Sequence, residues 1–240
     1  DLIETDPILS GTKLIAEAWD AAGLYQVGHF FGDRWKEWNG RFRDDVRSFV
    51  KGDSGLAGEL AKRFLASPDI FGHRNREPEQ SINFVTSHDG FTLQDLVSYD
   101  HKHNLLNREQ NRDGHNENLS WNCGQEGPTD DPIIQHLRQQ QTKNLMTINL
   151  LSFGVPMLLM GDEVCRTQNG NNNAYCQDNA TNWFNWHDVK RKSEMLRFVS
   201  ELIQFRKDLP KRKKSELTLS EILAPATISW HGTQACKPDW

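Results

Sequence analysis

Three times in this chain a short β-prone apolar run leads into an acidic residue. Lys13-Leu-Ile-Ala16 is followed by Glu17, and Ile82 to Val85 leads through Thr86 and Ser87 to His88 and Asp89. Val155-Pro-Met-Leu-Leu-Met160 is followed by Gly161-Asp-Glu163. The third run is wholly apolar, as a strand buried on both faces of a parallel sheet is. Helical spacing fills the intervals: Leu56, Leu60, Phe64 and Leu65 predict a helix stopped by Pro68. Leu137, Leu145, Ile148 and Leu151 predict a long helix over Ile133 to Leu151, and Leu196, Val199, Ile203 and Phe205 predict another over Glu194 to Lys207. Arg41 to Val50 is a further strand-like or helical run. Alternating strands and helices argue for a parallel sheet, and long loops after the strands, bearing all the chemistry, argue for a (β/α) barrel.

The acids themselves have two readings. After Asp89 comes Gly90, and the spacing Phe91, Asp95, Leu96, Tyr99 suits a helix. Asp89 therefore fits both a helix cap and a site acid at the C-terminal end of a strand, where open α/β sheets and barrels place their chemistry. Glu17, at the end of a separate strand, favours the second reading. Two carboxylates converging on one cleft are the minimal equipment of a glycosidase.

Composition narrows the remaining classes. A hydrophobic fraction of 36% with 25% charged residues is that of a globular chain. The net charge of −5 leaves no basic footprint for nucleic acid and no polybasic membrane patch beyond Lys211-Arg-Lys-Lys214, which reads as a solvated linker. No apolar run reaches membrane length. Cys123, Cys165, Cys176 and Cys236 lack Cys-x-x-Cys spacing and read as free thiols in a reducing, cytoplasmic setting. The chain starts at Asp1 in mid-pattern, with residues 1 to 10 as a helix end and a loop, and reads as a piece of something longer.

The loops complete the picture. Ala21 to Asn39 is expected to be irregular, with Tyr25, Phe30, Phe31, Trp35 and Trp38 either lining a groove for the apolar faces of sugar rings or anchoring the loop to the core. Asp100 to Asp131 is long, irregular and polar, and is expected to form a lid or rim suited to a hydroxylated substrate. Its Asn111 to Glu117 stretch fails as a calcium loop, because Ser120 falls where a bidentate Glu is needed. His101 and His103 have no evident third ligand, so neither a metal nor a cofactor is called for. Arg166 to Asn182 is a further polar loop, and from Leu217 the pattern alternates weakly toward strands, with a hairpin or bend at Trp230-His-Gly232.

Taken together, these segments resemble the second half of the catalytic barrel of the α-amylase superfamily (glycoside hydrolase family 13), in its isoamylase and glycogen-debranching group. Leu14-Ile-Ala-Glu-Ala-Trp-Asp20 resembles the end of the fifth barrel strand, and Phe84-Val-Thr-Ser-His-Asp89 that of the seventh. Met157-Leu-Leu-Met-Gly-Asp-Glu163 resembles the eighth. Trp38-Asn-Gly-Arg-Phe-Arg-Asp44, Ser120-Trp-Asn-Cys-Gly124 and Gly170-Asn-Asn-Asn-Ala-Tyr-Cys-Gln-Asp178 are closer to debranching enzymes than to amylases.

The resemblance implies an α/β fold, the C-terminal half of a (β/α)8 TIM barrel over residues 1–210, with a linker and the start of a C-terminal β-sandwich domain over 211–240. It implies retaining hydrolysis of α-1,6 branch linkages in glycogen- or amylopectin-type glucans. Glu17 would be the proton donor, Asp89 the transition-state stabiliser, and His88, Trp19, Trp38 and Asn39 substrate-binding residues. The partner is a branched α-glucan, with no cofactor, nucleic acid or membrane. The family's nucleophilic Asp, in a fourth-strand segment that also carries an Arg, has no match here, so the chain alone is expected to be inactive and marginal as a monomer. A non-catalytic glucan-binding subunit on the same fold is the alternative. Loss of the acid would mark it, and Glu17, His88 and Asp89 are all present. The debranching-type loops argue against a transglycosylase or trehalose-forming relative.

Overall fold

Four short strands, β1 (Leu14–Ala16), β2 (Trp35–Trp38), β3 (Ser81–Asn83) and β4 (Val155–Pro156), form one sheet in the order β1-β2-β3-β4. This is a computed structural model, and it describes residues 2–20, 22–32, 34–73, 76–210, 217–232, 234 and 237. Every pair is parallel, with Ala16 opposite Glu37, Trp38 opposite Ile82, and Asn83 opposite Pro156. The ladder runs one step further: Asn39 N–H donates to Ile82 O and Met157 N–H to Asn83 O, both at 2.8 Å. Parallel neighbours need long crossovers, and because all four strands point the same way they leave the sheet along one edge. Glu17, Asn39 and the segment ending in His88-Asp89 therefore lie along that edge.

Helix α1 (Leu2–Thr5) precedes the sheet. The crossover from β2 to β3 carries α2 (Gly40–Lys51), α3 (Ala57–Phe64) and α4 (Pro68–Phe71), and that from β3 to β4 carries α5 (Leu93–Leu96) and α6 (Pro132–Leu151). Beyond β4 come α7 (Asp188–Arg191), α8 (Ser193–Asp208) and α9 (Leu219–Leu223). Phe42 and Val46 of α2, Phe91, Leu93 and Leu96 around α5, Leu145, Met146 and Leu150 of α6, and Met195 and Val199 of α8 close into one apolar core. A smaller cluster gathers Ala16, Ala18, Val27, Ala66, Ile70, Phe71 and Leu219 on the β1 side.

Several expectations are corrected. Trp35 to Trp38, read as loop, is β2. Its Glu37 broke the apolar signal, yet that carboxylate is fully buried. It accepts from Gly28 N–H at 2.7 Å and pairs with Arg76 at 3.6 Å. Arg41 to Val50, left open between strand and helix, is helical. The apolar run from Val155 holds the ladder for two residues only. The expected strands from Leu217 begin instead with α9, closed by a capping box in which Thr218 and Glu221 satisfy each other's backbone N–H groups. Leu219 is fully buried and its N–H donates to Arg76 O at 2.7 Å, so α9 packs onto the α/β body. A bend does occur at Gly232, whose N–H donates to Lys237 O. Lys211 to Lys214 and Cys236 lie outside the described residues.

Asn39 shows how sequence sets the entry to α2. Its side chain accepts from Phe42 N–H at 2.9 Å as the N-cap, while its amide donates to Ser67 and Ser81 hydroxyls, each at 2.9 Å. Asn39→Ala is expected to cost about 2 kcal/mol, since a cap is lost and two buried hydroxyls lose their donor. Thermal melts of the two forms check this, and an unchanged midpoint would refute it.

Candidate active site

Each functional side chain at the shared strand edge is placed by the residue before it. Ala16 closes β1 and is buried, so Glu17 emerges exposed, Ala18 turns back into the core, and Trp19 lies half-buried. Trp38 is the last residue of β2, and Phe84, fully buried, follows β3 directly. The rings meet across the strands: Trp38 is 5.4 Å from Phe84, and Trp19 is stacked on Phe84 and on Tyr25 at 6.5 and 6.0 Å between centroids. Trp19 and Trp38 are 6.5 Å apart, and Trp38 is 5.7 Å from the His88 ring. The Arg43 guanidinium lies 5.9 Å from the Trp19 ring and 5.7 Å from that of Phe84, while its Nε pairs with Asp44 at 2.7 Å. The outcome is an aromatic floor with one cation set into it, and the exposed pair His88 and Asp89 at its side, 3.6 Å apart.

The structure removes one of the two readings of Asp89. The N-cap of α5 is Thr92, which accepts from Asp95 N–H at 3.2 Å. Asp89 is not that cap.

Of the remaining expected site residues, Trp19 and Trp38 share the floor with His88, and Glu17 leaves the strand two residues before Trp19. Asn39 departs from expectation. It is fully buried, its side chain is committed to the α2 cap and two serines, and its part is positional rather than direct substrate contact. Phe84 and Arg43 belong to the floor but were not singled out from the sequence.

The third acid-bearing strand end is also corrected. Asp162 does not face the edge. It is buried, accepting from the Thr86 hydroxyl and from Leu93 N–H at 2.9 Å. Burial pushes its carboxyl up to about 7. Asp95 is likewise an interior acid, accepting from the Thr167 hydroxyl and from Gln168 N–H at 2.7 Å, with burial again raising its pKa.

The expected polar rim is ordered from within. Lys102 is buried and donates to the carbonyls of Arg112, Asp113 and Gly114. His103, considered as a metal ligand, pairs with Glu126 at 3.1 Å. Cys123, Cys165 and Cys176 are free thiols. No helix among the described residues is long and apolar enough to cross a membrane.

The described residues thus join a parallel α/β sheet, acids beyond β1 and β3, and an aromatic floor that includes Trp38 at the end of β2. Comparison with known proteins narrows this. No family model matches the chain. It is 48% identical over 242 residues to the chloroplastic isoamylase SU1 of Zea mays, an alignment covering 100% of this chain and 30% of the relative. It is 52% identical over 208 residues to a glycogen debranching enzyme of Serratia proteamaculans, covering 85% of this chain and 31% of the relative. A pullulanase from Anoxybacillus sp. LM18-11, solved with maltotetraose, shares the fold at a TM-score of 0.60 and 24% identity, over 85% of this chain and 27% of that one. The chain belongs to the isoamylase and glycogen-debranching family, and it spans about three-tenths of the length of the curated relatives it matches.

Proposed function

We propose that this chain supplies the proton donor and the substrate-bracing wall of an active site that hydrolyses α-1,6 branch linkages in glycogen- or amylopectin-type glucans, with retention of configuration. The observation that carries the reading is the common strand edge. Glu17 follows β1 and the His88-Asp89 pair lies beyond β3 of one parallel sheet, with β2 and its terminal Trp38 between those strands, in a chain about half identical to debranching enzymes. Glu17 would protonate the departing glycosidic oxygen while a carboxylate attacks the anomeric carbon from the opposite face. Water would then release the sugar, with Glu17 taking its proton. Asp89 would stabilise positive charge developing on the ring, and His88 would hold a hydroxyl. Trp19 and Trp38 would carry the apolar faces of the sugar units. No segment of the 240 residues matches the family's nucleophile-bearing motif, so the attacking carboxylate belongs to the rest of the barrel.

The sheet order supports the barrel reading. Its strands follow the chain without reversal, as in a singly wound (β/α)8 barrel, whereas a doubly wound sheet reverses at a switch point. We place residues from 1 onward in the C-terminal half of that barrel. The docking of α9 moves the proposed boundary from 210 to beyond Leu223, with the β domain starting later. The free thiols support the cytoplasmic setting, and a plastid like that of the maize relative is the alternative.

The test is direct. The full-length protein, incubated with amylopectin, should release linear chains whose new reducing ends appear first as the α-anomer by NMR. No released chains, with glucan binding intact, would favour the non-catalytic binding subunit instead. Trp38→Ala is expected to raise KM for branched glucan about tenfold, the loss of one aromatic contact of ~1.4 kcal/mol. An unchanged KM would remove Trp38 from the substrate surface.

A further inference from the structure

The six residues from Val85 to Gly90 carry His88 and Asp89, yet they lie beyond the β3 ladder and have no regular structure to hold them. Three long-range contacts grip them instead. Arg47 of α2 donates from Nε to Val85 O at 2.8 Å. Thr86 donates its hydroxyl to Asp162. Gly90 N–H donates to Asn172 O at 3.0 Å. Gly90 has φ +89°, and a Cβ there would meet nothing within 4 Å, so conformation rather than space calls for glycine.

The outer two grips are joined. Asn172 is buried and every polar group it has is engaged. Its N–H donates to Asn104 Oδ1 at 3.0 Å, its Oδ1 accepts from Asn104 Nδ2 at 2.8 Å, and its Nδ2 donates to His115 O and to Asn118 Oδ1, both at 2.8 Å. Asn118, also buried, accepts at its carbonyl from Arg47 Nη1 at 3.1 Å. A closed circuit therefore runs from Val85 through Arg47, Asn118 and Asn172 to Gly90. Its members come from α2, from the loop after α5 and from the loop after β4. Packing leaves no slack around it: a Cβ on Gly114 would lie 2.2 Å from Asn172 Oδ1 and 2.8 Å from Asn104 Nδ2.

We propose that Asn172 and Asn118, with Arg47, are positioning residues for the substrate-bracing turn: they fix where Asp89 and His88 stand relative to the sugar without touching it. The inference rests on the glycosidase reading above. A side-chain amide suits the task because it donates and accepts at once and carries no charge to be compensated in the interior. Displacing a reacting group by about 1 Å costs on the order of 100-fold in rate even when the change lies outside the site.

The experiment uses the full-length protein and compares steady-state branch hydrolysis in Asn172→Ala, Asn118→Leu and Asn118→Asp, each also combined with Asp89→Ala. Asn118→Leu removes the acceptor for Asn172 at similar volume. Asn118→Asp keeps that acceptor. Asn172→Ala and Asn118→Leu should each lower kcat about 10- to 100-fold with KM within about threefold. Asn118→Asp, which keeps the acceptor but turns the donor facing His115 O and Asn116 O into a second acceptor, should fall between wild type and Asn118→Leu in kcat. In the Asp89→Ala background the first two substitutions should cost less than about twofold more, because what they position is already gone. An unchanged kcat, or the same loss with and without Asp89, would overturn the proposal. Should Asn172→Ala not fold, the two Asn118 variants decide the matter alone. Wild-type protein that releases no chains would sink the hydrolase reading instead, and a crystal structure of Asn118→Leu with the 85–90 turn unmoved would then overturn the positioning role independently.

Discussion

Glu17→Gln in the full-length protein should lower kcat on branched glucan on the order of 1,000-fold, within the range a positioned general acid contributes. KM should move little, because the glutamine keeps the shape and polarity of the side chain and loses only the proton it would deliver. The loss in kcat/KM, which reports the first step, should shrink sharply on a substrate whose leaving group departs without protonation, such as a nitrophenyl glycoside, since the donor is not needed there. This separates a proton donor from a residue that merely binds. The aromatic floor argues for the same split: sugar faces would rest on Trp19 and Trp38, whose contacts with each other and with Phe84 do not involve the carboxyl of Glu17. Full activity in the Gln variant would refute the assignment, and equal losses of kcat/KM on both substrates would recast Glu17 as a binding group.

The second large effect concerns stability rather than turnover. Asp162 sits wholly inside the protein, and burial raises its carboxyl to about 7 against about 3.9 in an unfolded chain. Between those values the folded protein holds a proton that the unfolded chain releases. The contribution of Asp162 is thus fully present below about pH 4 and is lost as pH rises through about 7. A shift of about three pKa units corresponds to about 4 kcal/mol. Asp162→Asn imitates the protonated acid: its oxygen can accept from Leu93 N–H and its amide can donate to the Thr86 hydroxyl. Urea unfolding at pH 5 and pH 8 should therefore show a smaller fall in stability for the Asn form than for wild type. Parallel pH profiles for the two proteins would show that Asp162 is ionised in the folded state throughout.

What the sequence disclosed, and what it hid, follow from the range of the interactions. The exits of β1 and β3 were legible because a run of apolar residues passing abruptly into an acid is a local pattern. Trp19, Trp38 and His88 were legible through motif resemblance, and the structure does bring their rings together. β2 was not legible, since Glu37 is acceptable in a buried strand only through Gly28 and Arg76, the latter 39 positions along the chain by its number. Asp162 looked like a third site acid for the converse reason: spacing reveals a carboxyl group but not the burial that turns it inward. Asn39 was read as part of a substrate motif, although an Asn immediately before a helical run is also a cap signal. At α9 the capping pair Thr218 and Glu221 was present in the sequence, and weak alternation around it pointed to strands instead.

The cap at Asn39 carries a chemical consequence for how the molecule ages. Asn39 is followed by Gly40, a pairing in which a mobile backbone lets the next peptide nitrogen attack the side-chain amide and expel ammonia. Held as a helix cap, with its amide committed to Ser67 and Ser81, Asn39 is kept from that geometry. Unfolding removes the protection. The aspartate or isoaspartate that forms has no amide to offer the two serines, and refolding would bury a charge where a neutral donor belongs. Each heating cycle should thus leave a growing share of molecules unable to return, with damage at Asn39 rising only on unfolding while the exposed Asn169, which also precedes a glycine, reacts in the folded chain too, so that heat inactivation is set by chemistry in the unfolded chain as well as by the folding equilibrium.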